Sequence, residues 1–159
     1  MKILTQALLD ELVAAAAAAP RGRAHYNIHA TPEDPLQRFF VAAQRRSYFR
    51  PHRHHACSEL GTVLRGGFDV LNFDDAGRLT ARWGIGADTG NIAFETPPLT
   101  WHTLLARSDG SVFLETKPGP YDPATAAQFA PWAPAEGEAA VPALLEWLRT
   151  ARPGERWGG

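Results

Sequence analysis

A single cysteine, Cys57, stands in a chain of 159 residues, which excludes an internal disulfide and fits a reducing compartment. Excess charge of one sign is also missing. Sixteen basic and 17 acidic residues leave a net charge of −1, too little field to draw nucleic acid or an anionic membrane. No stretch approaches the roughly 18 consecutive apolar residues of a membrane span. Met1-Lys2 and the alanine run that follows imitate a leader. Asp10 and Glu11, however, interrupt the apolar region that a signal peptide keeps continuous. The expectation is a cytoplasmic protein without nucleic-acid or membrane partners. Internal repeats are absent too, and the length suits one domain with a real core.

What the chain does have is a series of short strand patterns between two helical ends. Thr5 can cap a helix over residues 5–19, in which Leu8, Leu9, Leu12 and Val13 form one apolar face and Pro20 ends the run. That face suits packing on the main domain or on a second subunit, and with the edge strands of a jelly roll to cover it leads us to expect a homodimer. Residues 20–35, rich in Arg, Pro, Asp and His, suggest a long irregular arm. Strands are expected near 37–44, 47–54, 59–65, 67–73, 78–84, 91–95, 101–107 and 111–117, with turn chemistry at Asp74–Gly77 and Ser108–Gly110. Residues 141–151 carry a second helical pattern with Leu144, Leu145 and Leu148 on one face. The expected organisation is an N-terminal helix and arm (1–35), a jelly-roll barrel (36–121) and a C-terminal extension with a helix (122–159), one domain overall.

Chemistry concentrates in Pro51–Gly66, PHRHHACSELGTVLRG. Residues two apart on a strand share a face, so His52 and His54 can aim both imidazoles at one point. Ala56-Cys57-Ser58 then offers a turn, with Cys57 a small turn residue rather than a ligand, and Glu59 returns on the neighbouring strand. A later proline turn, Pro97-Pro98-Leu99-Thr100, leads into His102. Three imidazoles and a carboxylate suit one divalent transition metal; Fe, Mn, Ni, Zn and Co all accept such donors. The absence of thiolates disfavours a closed structural zinc site.

These residues resemble the first motif of the cupin family: His-x-His, then Glu, then Gly, here His52, His54, Glu59 and Gly66. Arg46 replaces the motif's leading glycine. In the second motif Pro97 and His102 match, whereas Leu99 replaces a glycine and Ala106 an asparagine. The resemblance narrows to the WbuC family of cupin-fold metalloproteins over roughly residues 20–138. It is carried by Asp34–Arg38, Tyr48–His54, Trp101–Thr103, Glu115–Tyr121 and Phe129–Glu136, together with Arg23, Tyr26, Asn27 and His29 in the arm. It implies a mainly β cupin fold, a double-stranded β-helix or jelly-roll barrel with flanking N- and C-terminal α-helices. It also implies a bacterial role in surface-polysaccharide or O-antigen biosynthesis.

Strand phase extends the site. If His52 and His54 point inward, Tyr48 and Arg50 share that phase and are candidates for substrate binding, with Arg50 expected either to clamp an anion or to pair with Glu115. Lys117 and Tyr121, around the Lys-Pro-Gly-Pro-Tyr exit loop, are candidates for substrate binding and proton transfer. Gln37 or Arg38 should face the cavity. Trp101 should face outward as packing, and His25 and His29 are expected at the surface. The catalytic residues stay open. A metal-dependent isomerase or epimerase acting on a sugar or other small anionic metabolite is the leading expectation. An Fe(II)-dependent dioxygenase and a non-enzymatic ligand-binding or sensor cupin are the alternatives.

Overall fold

Thr5 opens the first element: its hydroxyl oxygen accepts from the Leu8 N–H at 3.2 Å and caps helix α1 (Gln6–Ala18). The computed structural model describes residues 1–158. Along the chain follow β1 (Arg23–Asn27), β2 (Leu36–Ala43), β3 (His52–Arg53), β4 (Glu59–Arg65) and β5 (Gly67–Phe73). After them come β6 (Leu79–Gly86), β7 (Ala93–Thr96), β8 (Trp101–Ala106), β9 (Ser111–Pro118), β10 (Gln128–Phe129) and helix α2 (Val141–Thr150). They form two five-stranded antiparallel sheets, ordered β1-β2-β9-β4-β7 and β10-β3-β8-β5-β6.

Strand alternation explains how three apolar layers arise from two sheets. Val41, Phe68, Val70, Leu104 and Phe113 meet between the sheets. The opposite phase of β2, with Phe40 and Ala42, is covered by Leu9, Leu12 and Ala16 of α1. The opposite phase of β5 and β8, with Leu71, Phe73 and Leu105, is covered by Leu144, Leu145 and Leu148 of α2. Sheets covered on both faces leave little room for polar alternation, so all six residues of β8 are buried. Helix α1 is therefore engaged on its own sheet, and it no longer gives a ground for expecting a second subunit.

Two sequence expectations are corrected. The supposedly irregular arm contains β1, whose Arg23–Asn27 pairs with Phe39–Ala43 of β2. The alternation Arg-Ala-His-Tyr-Asn was the available signal: Ala24 and Tyr26 turn to the α1 layer, and Arg23 and His25 to the cavity side, where His25 stays exposed as expected. The expected strand at 47–54 shrinks to His52–Arg53. Pro51 has no N–H to donate to a ladder, and its carbonyl accepts from Ala130 instead, at 2.9 Å. That contact brings in β10, which pairs with β3. The exit loop after β9 docks on the 32–35 turn through Gly119 N–H to Pro35 and Tyr121 N–H to Pro32. A Cβ at Gly119 would collide with the Asp34 carbonyl, so only glycine allows this approach.

Candidate metal centre

His52 on β3 lies directly opposite His102 on β8. His54 follows one step beyond β3, and Glu59 opens β4 on the facing sheet. The four side chains thus enter from both sheets, and their donor atoms all lie within 4.8 Å of one another. His54, Glu59 and His102 are buried, and His52 is half-buried.

The orientation of the rings decides what the cluster can hold. Each imidazole places Nδ1 on a backbone carbonyl: His52 on Arg50 at 2.9 Å, His54 on Ala126 at 2.5 Å and His102 on Thr100 at 2.9 Å. A carbonyl only accepts, so Nδ1 carries the proton and Nε2 turns its lone pair to the centre, the arrangement usual for metal-binding histidines. His102 Nε2 lies 2.8 Å from one Glu59 oxygen. His54 Nε2 lies 2.8 Å from the other, but off the line that a hydrogen bond needs, and so stays buried without a hydrogen-bond partner. A buried, unsatisfied lone pair facing two further imidazoles and a carboxylate fits a divalent cation.

Without a cation the cluster divides its charge unevenly. Burial, reinforced by the neighbouring His102, pushes the His52 imidazole down to about 3. Burial works against the charged form of Glu59 as well. The hydrogen bond to His102 and the nearness of His54 overcome that penalty and hold the carboxyl well below its ordinary range. His102 is raised, because its bond to Glu59 outweighs the cost of burying a charge.

Behind the cluster sits a second ionic pair. Lys117 Nζ lies 2.7 Å from Glu115 and 3.9 Å from Glu59, above the Phe39 ring. Burial and the nearby Glu59 push the Glu115 carboxyl up. Burial would lower Lys117, but Glu115 and Glu59 raise it. Lys117 borders three cavities. One of about 700 Å³ reaches His54, Cys57 and Tyr121; one of about 250 Å³ reaches His52, Glu59 and Glu115; a third of about 340 Å³ holds His25, His29, Gln37 and Tyr121.

The remaining expected site residues separate into two groups. Gln37, Lys117 and Tyr121 line the cavities, with Tyr121 48 % exposed at the mouth. Arg50 and Tyr48 lie elsewhere, because residues 47–51 are not in a strand and the phase linking them to His52 is lost. Arg50 donates to the Ala133 carbonyl at 2.9 Å and stacks over Phe129, so it does not pair with Glu115. The Tyr48 phenol donates to Pro134 at 2.8 Å inside the α2 layer, where burial pushes its ionisation up. His29, expected at the surface, is buried and accepts from the Arg38 N–H at 3.0 Å. Trp101 packs in the α2 layer and donates to Asp75 at 2.8 Å. Cys57 stands outside the four-residue cluster, on the wall of the cavity of about 700 Å³. Arg21 and Arg23, which the sequence did not single out for the site, line the cavity beside His52 and Glu59.

The family described as domain of unknown function DUF6016 matches residues 4–85, which include β1 and the first three residues of the cluster. The chain belongs to the DUF6016 family. No curated protein matches it. Among solved structures, the DUF6016 chain is similar to a cupin 2 conserved barrel domain protein from Rhodopseudomonas palustris (19% identity, TM-score 0.52, covering 71% of this chain and 70% of that one). Oxalate oxidase in complex with the substrate analogue glycolate is similar at 18% identity and TM-score 0.54, covering 85% of this chain and 69% of that one. The capsular polysaccharide assembling protein CapF from Staphylococcus aureus is similar at 16% identity and TM-score 0.59, covering 70% of this chain but 31% of CapF. These likenesses establish a cupin fold. Among the described residues no helix is long and apolar enough to cross a membrane.

Proposed function

We propose that this DUF6016 chain is a metal-dependent enzyme of isomerase or epimerase type, acting on a sugar or another small anionic metabolite. The observation that carries this reading is the buried Lys117–Glu115 pair, held 3.9 Å from the metal-ligand carboxylate of Glu59. His52, His54, Glu59 and His102 would hold the ion, and four protein donors leave coordination positions for substrate. A divalent ion there supplies Lewis acidity to a substrate oxygen. The chain's own residues do the rest. Glu115 takes the proton from the substrate carbon next to the polarised carbonyl, and Lys117 gives a proton back to the resulting enediolate and is reprotonated by Glu115. Tyr121 lies at the mouth, and the phenylalanines around the cavity limit water. Arg50 is structural in this account.

The likeness of Asp34–Arg38, Tyr48–His54 and Glu115–Tyr121 to WbuC proteins supports a place in bacterial surface-polysaccharide metabolism. The test uses metal-loaded protein in D₂O without oxygen, offered aldoses, ketoses and sugar phosphates. Deuterium should enter at the carbon next to the carbonyl and fail to enter with Lys117→Met. Oxygen uptake dependent on Fe(II) would instead support the dioxygenase. Tight ligand binding without turnover under any metal would support a binding module.

A further inference from the structure

Two guanidinium groups stand where the cavity beside the ligands meets the outside. Arg21 and Arg23 line both the cavity of about 250 Å³ that reaches His52 and Glu59 and an outer groove of about 400 Å³ bordered by Arg46, Tyr48 and Glu136. Both arginines donate to the same oxygen of Glu136, Arg21 at 2.5 Å. Glu136 belongs to the loop before α2, and its side chain is 36 % exposed. Arg23 is anchored further: it donates to the Tyr48 carbonyl and lies over the Phe49 ring at 4.9 Å. Arg23 is therefore fixed, Arg21 stands exposed at the rim, and the carboxylate that joins them sits on a loop.

Charge is unbalanced at both ends of this cavity. Two arginines share one carboxylate, leaving one positive charge in surplus. At the other end Lys117 and Glu115 offset each other, so a divalent ion on Glu59 also leaves a positive surplus. Phe39, Val41, Phe49, Leu104 and Phe113 make the wall between them apolar. Positive ends joined by an apolar middle match a small dianion with a short carbon body, whereas a monoanion leaves one end unmatched.

We infer that Arg21 and Arg23 form an anion-selecting gate, in which a carboxylate or phosphate of the ligand takes the place of Glu136 while the ligand's other end reaches the metal ligands. This rests on the metal reading above and adds the ligand's second charge. Exchange is eased because the exposed Arg21–Glu136 pair contributes little, and the incoming group meets the same charged donors.

Succinate and butyrate share a carbon skeleton and differ by one carboxylate, which makes them suitable probes. Each is titrated calorimetrically into the metal-loaded protein, with metal content measured in every sample. Wild type should prefer succinate by roughly tenfold or more, Arg23→Gln should lose that preference, and Glu136→Gln should tighten succinate about fivefold. Because Arg23 is half-buried and its variant can fail to fold, Arg21→Ala is the second arginine variant and should reduce the preference severalfold. An unchanged preference in Arg21→Ala and Glu136→Gln with full metal overturns the gate alone, as does failure of both anions to bind the loaded wild type. A preference that follows Arg21 and Glu136 in protein unable to hold metal sinks the metal reading and leaves the gate standing.

Discussion

His52 and His102 face each other across β3 and β8 with ring centroids 4.4 Å apart, yet their proton affinities move in opposite directions. The reason is access to Glu59. His102 bonds it directly, at 2.8 Å, while His52 has burial and a charged neighbour to contend with.

The metal-free protein should therefore be most stable near neutral pH. His52 is depressed in the fold, from 6.5 to about 3, so its contribution is complete above 6.5 and is lost as pH falls below it. The slope is up to about 1.4 kcal/mol per pH unit. His102 is raised, so its contribution is complete below 6.5 and is lost as pH rises through its folded value. Urea titrations from pH 4 to 8 check both limbs (the range being set by about two units either side of a free imidazole). His52→Asn should flatten the acid limb only; an acid limb of unchanged slope would contradict the assignment.

Leu99 has φ 63°, in the left-handed region, on the turn that leads into His102. It occupies the position where the related motif carries glycine, and its side chain is 54 % exposed. Glycine occupies that region without the Cβ clash, which relieves about 1–2 kcal/mol, against a smaller entropic cost of glycine in the unfolded chain. Leu99→Gly should raise Tm by about 2 °C, measured calorimetrically. A lower Tm would show that the leucine makes a compensating contact.

Lys117→Met leaves Glu115 and Glu59 without their shared cation in a buried site. Stability in urea should drop by about 3 kcal/mol or more. Adding Glu115→Gln should recover most of it. Additive losses in the double variant would mean the pair is not coupled.

Arg50→Ala should leave succinate affinity within about twofold, because its guanidinium lies on the Ala133 carbonyl, and should lower stability by about 1 kcal/mol. A tenfold loss of affinity in calorimetry would restore Arg50 to the cavity.

The barrel was legible because its strands are short, alternating and bounded by turn residues, and the cluster because His52, His54 and Glu59 lie close in sequence. The error over Arg50 has a local cause. Alternation was extended through Pro51, where no ladder can form, so the phase from His52 back to Tyr48 did not hold. Arg21 and Arg23 were hidden for a different reason. Their place depends on β1 adding to the edge of a sheet, a long-range pairing that a five-residue stretch announces weakly. Glu136 reaches them over 113 residues, beyond anything local pattern can show.

The central claim is that His52, His54, Glu59 and His102 hold one divalent ion. Elemental analysis of purified wild type, His54→Ala and His102→Ala, each confirmed folded by circular dichroism and loaded in turn with Fe, Mn, Co, Ni and Zn, tests it most directly. One equivalent in wild type and less than about a tenth of that in both variants is the predicted result. Full occupancy in both variants would contradict it.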